Sequence, residues 1–431
     1  MGGRGDRLSD GTGGRGGRAL VGPPARAKER PMHVIVIGAG IVGLSAAWAL
    51  RRRGAAVTVV EKGPIPCPTA ASADHHRMIR RSYPRNPGYA ARMDDAFAAW
   101  SRLFADFAEA GLGPRQRFYC DRGVLTLSER PGDYGDESRK LFDYHDMPYE
   151  RLDGPAAIAE RLPILDTAAL ASNTLFAMLS EGGALMANRI LSALADLLRL
   201  QGVEVLELSP AAAIDPIRPS VTLEDGRVLF SDLVIASAGT GMPGLAPSLT
   251  ADLGYRRTLI AYARPPEDLA EAWEAAPCWT FLGGDADLWG IAPVDGIAPK
   301  LGCGSLGRVD PADTDRQITP EETATIMARY KGRLRDIERF TPVFAQANYW
   351  MLAPEERVQA TIPVRHSRLR WMRHKRTSSA LSLQPSQRAL TRRQTALTAY
   401  TIWNLPFRPA FNPPSCCRAT GRRTIERHWR L

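Results

Sequence analysis

The sequence predicts an α/β fold that begins with a β-α-β unit, on three observations. Residues 33–37 form a short β-branched run suited to a strand buried on both faces. Glycines follow it at once with the spacing Gly38, Gly40, Gly43. A second apolar run, 55–60, ends on an acid, Glu61, 18 residues after the last of these glycines. The chain's 431 residues exceed the roughly 250–300 at which a single core stops growing, which predicts two domains or one large discontinuous one.

The remaining elements follow in order. Residues 44–53 read as a helix of good formers, closed by Gly54 as its C-terminal cap. Residues 188–200 give an amphipathic helix and 203–206 a strand. A hairpin spans 221–223 and 227–229, with Asp225-Gly226 as its turn. Another buried strand, 231–237, runs into Ala238 and Gly239. Residues 246–346 mix short strands, 259–263 among them, with a helix at 320–340.

The net charge of +10 suggests nucleic acid until it is divided along the chain. Residues 1–31 hold 7 Lys/Arg against 3 acids and 358–431 hold 15 against 1, leaving 34 basic and 42 acidic residues for 32–357. The body is therefore acidic, and no nucleic-acid partner is expected. Residues 1–31 carry nine glycines and no apolar periodicity, a composition that predicts disorder, with an RGG-like RNA-binding arm as the alternative. The apolar stretch 32–50, flanked by Lys28, Arg30 and Arg51–Arg53, mimics a signal or membrane segment, but its glycines argue against a span. Cys67, Cys120, Cys278, Cys303, Cys416 and Cys417 show neither C-x-x-C spacing nor a paired framework. That pattern points to a reducing, cytoplasmic setting and to no metal site.

The glycine motif carries chemistry because it lies between a strand and a helix. Gly38 permits the tight turn, Gly40 lets a pyrophosphate approach the backbone, and Gly43 lets the helix pack on the strand. The helix N-terminus meets the phosphates with unpaired N–H groups and partial positive charge. Glu61, at the carboxyl end of the second strand, accepts both ribose hydroxyls of an adenosine and would repel a 2′-phosphate. FAD or NAD is thus expected over NADP, on a Rossmann-like unit.

Four further segments bear on that choice. The run Ser72-Ala73-Asp74-His75-His76-Arg77-Met78-Ile79-Arg80-Arg81-Ser82-Tyr83 contains R-x-I-R-x-x-Y. Glu181-Gly182-Gly183-Ala184-Leu185 precedes the helix at 188, and 233–239 runs from a strand into Ala238 and Gly239. Leu288-Trp289-Gly290-Ile291-Ala292-Pro293 is followed by Lys300-Leu301-Gly302. Over 32–357 the sequence resembles the FAD-dependent oxidases of the D-amino-acid oxidase superfamily, and it is most similar to the monomeric sarcosine oxidase and N-methyltryptophan oxidase branch.

The resemblance implies a discontinuous FAD-binding domain with an inserted antiparallel β-sheet substrate domain. It divides the chain into 1–31, a disordered terminus; 32–115 with 170–245, the FAD-binding domain; 116–169 with 246–346, the substrate domain; 347–357, a return towards the FAD domain; and 358–431, an atypical, poorly ordered basic tail. The implied cofactor-binding residues are Gly38, Ala39, Gly40, Ile41, Val42, Gly43, Glu61, Lys62, Arg77, Ala211, Ala238 and Gly239. Arg77 would lie against the flavin. Arg80 would bind the substrate carboxylate through two parallel hydrogen bonds, and Lys300 would offer oxygen a fixed positive charge.

The implied activity is oxidation of the C–N bond of an amino acid or N-methylated amine acid. Flavin is then reoxidised by oxygen or an electron carrier. Departures from the family are also visible. Its histidine four residues after the lysine is Gly304 here, which makes sarcosine a doubtful substrate. Its flavin-linking cysteine falls on Asn348, so noncovalent FAD is expected. Nothing in 358–431 matches the family's final glycine-rich segment, and the composition break there suggests a reading-frame change or a gene remnant, with a functional basic tail for nucleic acid or anionic membrane as the alternative. Two alternatives stay open: a non-catalytic homologue with an incomplete flavin site, and an NAD-dependent dehydrogenase.

Overall fold

The computed structural model describes residues 2, 30–170, 175–310 and 312–352. The expectations for 1–29 and for 358–431, the frame change included, lie outside the described residues.

In chain order the strands are β1 (His33–Ile37), β2 (Ala56–Val60), β3 (Arg77–Arg80), β4 (Tyr119–Asp121), β5 (Val124–Ser128), β6 (Tyr149–Asp153) and β7 (Phe176–Ser180). Next come β8 (Gly182–Leu185), β9 (Glu204–Leu206), β10 (Ala211–Asp215), β11 (Ser220–Leu223), β12 (Val228–Phe230) and β13 (Leu233–Ala236). The last six are β14 (Gly254–Arg264), β15 (Cys278–Leu282), β16 (Leu288–Ile291), β17 (Lys300–Cys303), β18 (Arg308–Asp310) and β19 (Thr341–Leu352).

The predicted β-α-β unit is the centre of a parallel sheet, β13-β1-β2-β9, with the helix α1 (Ile41–Arg51) joining β1 to β2. Val34, Val36, Val57 and Val59 on one face pack with Leu44, Ala47 and Trp48 of α1 and with Ile190, Leu191, Leu194 and Leu198. The last four lie at i, i+1, i+4 and i+8 of the helix Ala187–Leu200, so one amphipathic face covers the sheet. Ile35, Ile37 and Val60 on the other face pack under the predicted hairpin, which forms the sheet β10-β11-β12. Burial on both faces is what the unbroken apolar runs require.

A nine-stranded sheet, ordered β18-β14-β17-β16-β15-β5-β7-β6 with β19 on the other edge of β14, holds a separate core built around Trp273, Trp279 and Tyr330. The small sheet β3-β8-β4 is wedged between the two: Met78, Cys120 and Ala184 pack on Val124, Cys278 and Ile291 of the large one. Among the described residues no helix is long and apolar enough to cross a membrane.

Three expectations need correcting. β7, assigned by sequence to the FAD-binding segment, forms antiparallel ladders with β5 and β6 in the large sheet. An apolar run buried on both faces suits either sheet, and only the distant partner decides. The predicted return at 347–357 does not begin at 347, because β19 continues to Leu352 with Gly254↔Leu352 still in register. The helix expected at 320–340 spans only Pro320–Arg329. It opens on a capping box in which Thr319 and Glu322 exchange hydrogen bonds at 3.1 Å. It stops because Gly332 and Asp336 take left-handed conformations, with φ of 71° and 55°.

Candidate active site

Each glycine of the turn has its own physical reason. Gly38 has φ of 97°, and a Cβ there would stand 2.5 Å from the Ser237 carbonyl oxygen at the end of β13. A Cβ on Gly43 would overlap the Gly38 carbonyl oxygen, so α1 and β1 can approach this closely only without it. Gly40 caps α1 without a side-chain bond, and the nearest atom to a Cβ there is Ser72 Oγ at 3.3 Å. The helix N-terminus thus carries no cap from Gly40 itself and is approached by the short Ser72 side chain. Val42, 64% exposed, stands beside it in the first turn, and Ile41 N–H donates to Ser72 Oγ.

Glu61 is buried and tied into the same turn. Its Oε2 accepts from Ala39 N–H at 2.6 Å and its Oε1 from Gly63 N–H at 3.0 Å. Each oxygen keeps a lone pair for a hydroxyl donor. Lys62 is exposed. Ala211 and Ala238 lie against the cluster of Ile37 and Val60 at the carboxyl ends of β1 and β2, and Gly239, with φ of 55°, opens a short 3-10 turn. A glycine-capped helix N-terminus with a serine hydroxyl beside it, next to an acceptor-only carboxylate, is a donor and acceptor set that fits the phosphates and ribose of FAD.

Arg77 and Arg80 both lie on β3 but point to different neighbours. Arg77 donates to the carbonyls of Ala71 and Ala73 and stands 3.6 Å from the Asp74 carboxylate. Arg80 reaches the large sheet, donating to the Thr280 hydroxyl on β15, with its guanidinium carbon 4.7 Å from the Tyr83 ring centroid. Lys300 opens β17 and is almost wholly buried. It donates to the Asp74 carboxylate and, at 3.1 Å, to the His76 carbonyl, and its Nζ stands 5.7 Å from the Trp289 ring centroid. Arg80 and Lys300 thus have different hydrogen-bond partners, Thr280 for one and Asp74 with the His76 carbonyl for the other.

Asp74, which sequence reasoning left without a role, is the hub of this cluster. Its carboxylate also accepts from the Tyr262 hydroxyl and from His75 N–H. Burial alone would raise its pKa, but Lys300 and Arg77 reverse that, and Asp74 stays below the usual carboxylate range. Burial pushes Lys300 down to about 8, a fall that Asp74 limits and Arg77 deepens. Burial and the Lys300 charge together push His76 down to about 3, and neither ring nitrogen has a partner among the described residues. Tyr262 is raised by burial and by Asp74 and keeps its proton. A cleft of about 680 Å³ opens beside this loop, over Asp74, His75, Asn188, Arg189, Phe344 and Gln346.

A second overlooked residue is Asp287, in the turn before β16 with φ of 48°. Its carboxylate fills the place that a side chain at position 304 would need. Burial raises its pKa against the pull of Arg80, Arg85 and Arg256. Asn348, where the resemblance puts the flavin-linking position, is buried in β19 and accepts from Gln346 at 3.1 Å. Asp74 lay in plain view in the run at 72–83, but no local pattern connects it to partners 188 and 226 positions away.

Known proteins resemble the chain as follows. The sequence profile of the family described as "DAO: FAD dependent oxidoreductase" matches residues 33–352. The tRNA 5-methylaminomethyl-2-thiouridine biosynthesis bifunctional protein MnmC of Chromohalobacter salexigens is 27% identical over 337 residues, which are 75% of this chain and 42% of that protein. The chain therefore spans less than half of that relative. Monomeric sarcosine oxidase of a Bacillus species is 22% identical over 302 residues, 68% of this chain and 75% of the oxidase. Among solved structures, the amino acid oxidase NikD in its open form superposes with a TM-score of 0.61 at 19% identity, covering 76% of this chain and 84% of its own. Amadoriase I of Aspergillus fumigatus gives 0.59 at 18%, covering 77% and 78%. At these identities the structural likeness is one of fold.

Proposed function

The chain belongs to the DAO family of FAD dependent oxidoreductases, and on that premise we propose that it oxidises the C–N bond of an amino acid or of an N-methylated or other secondary amine acid. Loss of a hydride equivalent from carbon and a proton from nitrogen gives the imine, and water converts the imine to a carbonyl compound and a free amine. FAD, when bound, takes up the two electrons, which pass on to oxygen, giving hydrogen peroxide, or to an electron carrier.

The residues divide the work by position. Gly38, Gly40, Gly43 and the first turn of α1 hold the pyrophosphate, and Glu61 takes the ribose hydroxyls. Arg80 receives the substrate carboxylate in a fork-to-fork contact, releasing Thr280 as it does so. Lys300 supplies positive charge where the acceptor gains electrons. Asn348 has no sulfur to link a flavin, which favours dissociable FAD. The observation that carries the reading is the Glu61 carboxylate bonded inside the glycine turn, at 2.6 Å from Ala39 N.

The test is an absorption spectrum of the purified chain before and after acid precipitation, with flavin bands expected at about 370 and 450 nm that pass into the supernatant. An amine screen follows, with Arg80→Ala expected to raise KM for carboxylated substrates far more than for decarboxylated ones. A folded, colourless protein that takes up no added FAD leaves the non-catalytic alternative in its place.

A further inference from the structure

We propose that Asp74 is a positioning residue of this reaction: it keeps the Lys300 ammonium charged and aimed, so that Lys300 acts only as one half of an Asp74–Lys300 pair. The inference rests on the reading of Lys300 as the cation of the acceptor step.

The geometry is that of a built socket. Tyr262 and Lys300 are direct cross-strand partners on β14 and β17. Two neighbouring side chains therefore leave the same face of the large sheet and meet the two oxygens of one carboxylate, Tyr262 at Oδ1 and Lys300 at Oδ2. The carboxylate side chain is 0% exposed and the lysine side chain 1%. Asp74 is itself pinned from behind: its N–H donates to Asn188 Oδ1 at 3.0 Å, and its carbonyl accepts from Asn188 N–H at 3.1 Å. The His76 carbonyl takes a second ammonium proton.

The charged and titratable groups around Lys300 are Asp74, Arg77, His75, His76 and Tyr262. Arg77 repels the ammonium, His76 is neutral above about pH 3, and Tyr262 keeps its proton. Asp74 is thus the group that offsets burial, and a lysine this deep without a carboxylate loses its proton. A purely structural link between the loop and the sheet has no need of ions, since a buried ion pair is seldom more stable than an apolar one. What the pair maintains is a cation in a place that would otherwise strip it of charge.

The test compares the flavin-loaded wild type with Asp74→Asn, Asp74→Glu and Lys300→Met. Reoxidation of substrate-reduced enzyme by oxygen and by a dye acceptor is followed by rapid mixing between pH 6 and 9. In Asp74→Asn the reoxidation rate at pH 7.5 is expected to fall at least tenfold more than the rate of reduction by substrate, with its pH midpoint displaced to lower pH. A second readout needs no turnover. The chain has six lysines, so ¹³Cε-lysine labelling gives a resolvable set of signals, and Lys300→Met assigns the relevant one. In the flavin-free protein that signal titrates near about 8 with Asp74 present and at least one pH unit lower in Asp74→Asn.

Should Asp74→Asn fail to fold, Asp74→Glu keeps the carboxylate and is expected to hold the Lys300 midpoint within half a unit of wild type; a full unit's drop there overturns the proposal. An unmoved Lys300 titration in Asp74→Asn, or an unmoved reoxidation profile, does the same. Equal reoxidation in wild type and Lys300→Met instead removes the reading of Lys300 itself, and the proposal with it.

Discussion

The Asp287 carboxylate stands where a side chain on Gly304 would have to go, so the residue that the sequence lacks at 304 and the acid at 287 are two sides of one arrangement. Gly304→Ala forces that carboxylate to swing out, at a cost of about 1–3 kcal/mol. Asp287→Gly, which suits the left-handed backbone at 287, is expected to recover most of this in the double variant. Urea unfolding of the three proteins decides it: full destabilisation persisting in the double variant would mean that the clash lies elsewhere.

Gly40 and Gly43 separate two kinds of glycine requirement. A Cβ at 43 meets the Gly38 backbone carbonyl, which cannot rotate away, so Gly43→Ala should cost about 3 kcal/mol or more and bring the flavin site down with it. A Cβ at 40 meets only a serine hydroxyl at 3.3 Å. Gly40→Ala is therefore expected to leave apoprotein stability within about 1 kcal/mol while weakening FAD binding at least tenfold. Fluorescence titration with FAD beside denaturant melts distinguishes the two, and equal losses for both variants would contradict the assignment.

How much of this could be read in advance follows from distance along the chain. The β-α-β unit and Glu61 were legible because strand, turn, helix and acid fall within 29 residues and each has a local reason to be there. The hairpin at 221–229 was legible for the same reason. β7 and the end of β19 were misplaced because an apolar strand says that it is buried but not beside what. At the site, Lys300 and Arg80 were named through resemblance, whereas Asp74, Tyr262 and Asp287 were not. Their meaning lies in partners brought together by the register of β14 on β17 and by a turn conformation.

His76 should make stability depend on pH. Burial and the Lys300 charge hold it at about 3, against an ordinary value of 6.5, so between these values the unfolded chain binds a proton that the folded chain refuses. This contribution is fully present above about pH 6.5 and is lost as pH falls towards 3, with a slope of up to about 1.4 kcal/mol per unit. Denaturant midpoints measured from pH 7 to pH 4 should fall more shallowly in His76→Phe than in wild type. Parallel curves would place the proton elsewhere.

Arg257 is a buried cation with a structural task. It donates to Glu322 Oε1 at 2.7 Å, to the Asp315 carbonyl at 2.8 Å and to the Gln317 carbonyl, tying the loop before Pro320–Arg329 onto β14. Arg257→Met removes these bonds, although Tyr349 still donates to the Asp315 carbonyl and Glu322 is 26% exposed, and it is expected to cost about 1–3 kcal/mol. Arg257→Lys should recover little, because one ammonium cannot reproduce the planar fork. Chemical unfolding measures both, and a lysine variant as stable as wild type would show that charge alone suffices.

β15 lies parallel to β5, Cys278 beside Val124, in a sheet whose other ladders are antiparallel. On the ribosome, β5, β6 and β7 are finished roughly 100 residues before Leu282 is added, which at about 5–20 residues per second is a wait of roughly 5–20 s. Throughout that interval β5 presents an open row of backbone donors and acceptors on a strand meant for the centre of a sheet. The parallel seam can therefore close only after the antiparallel ladders of β5, β6 and β7 have had time to form.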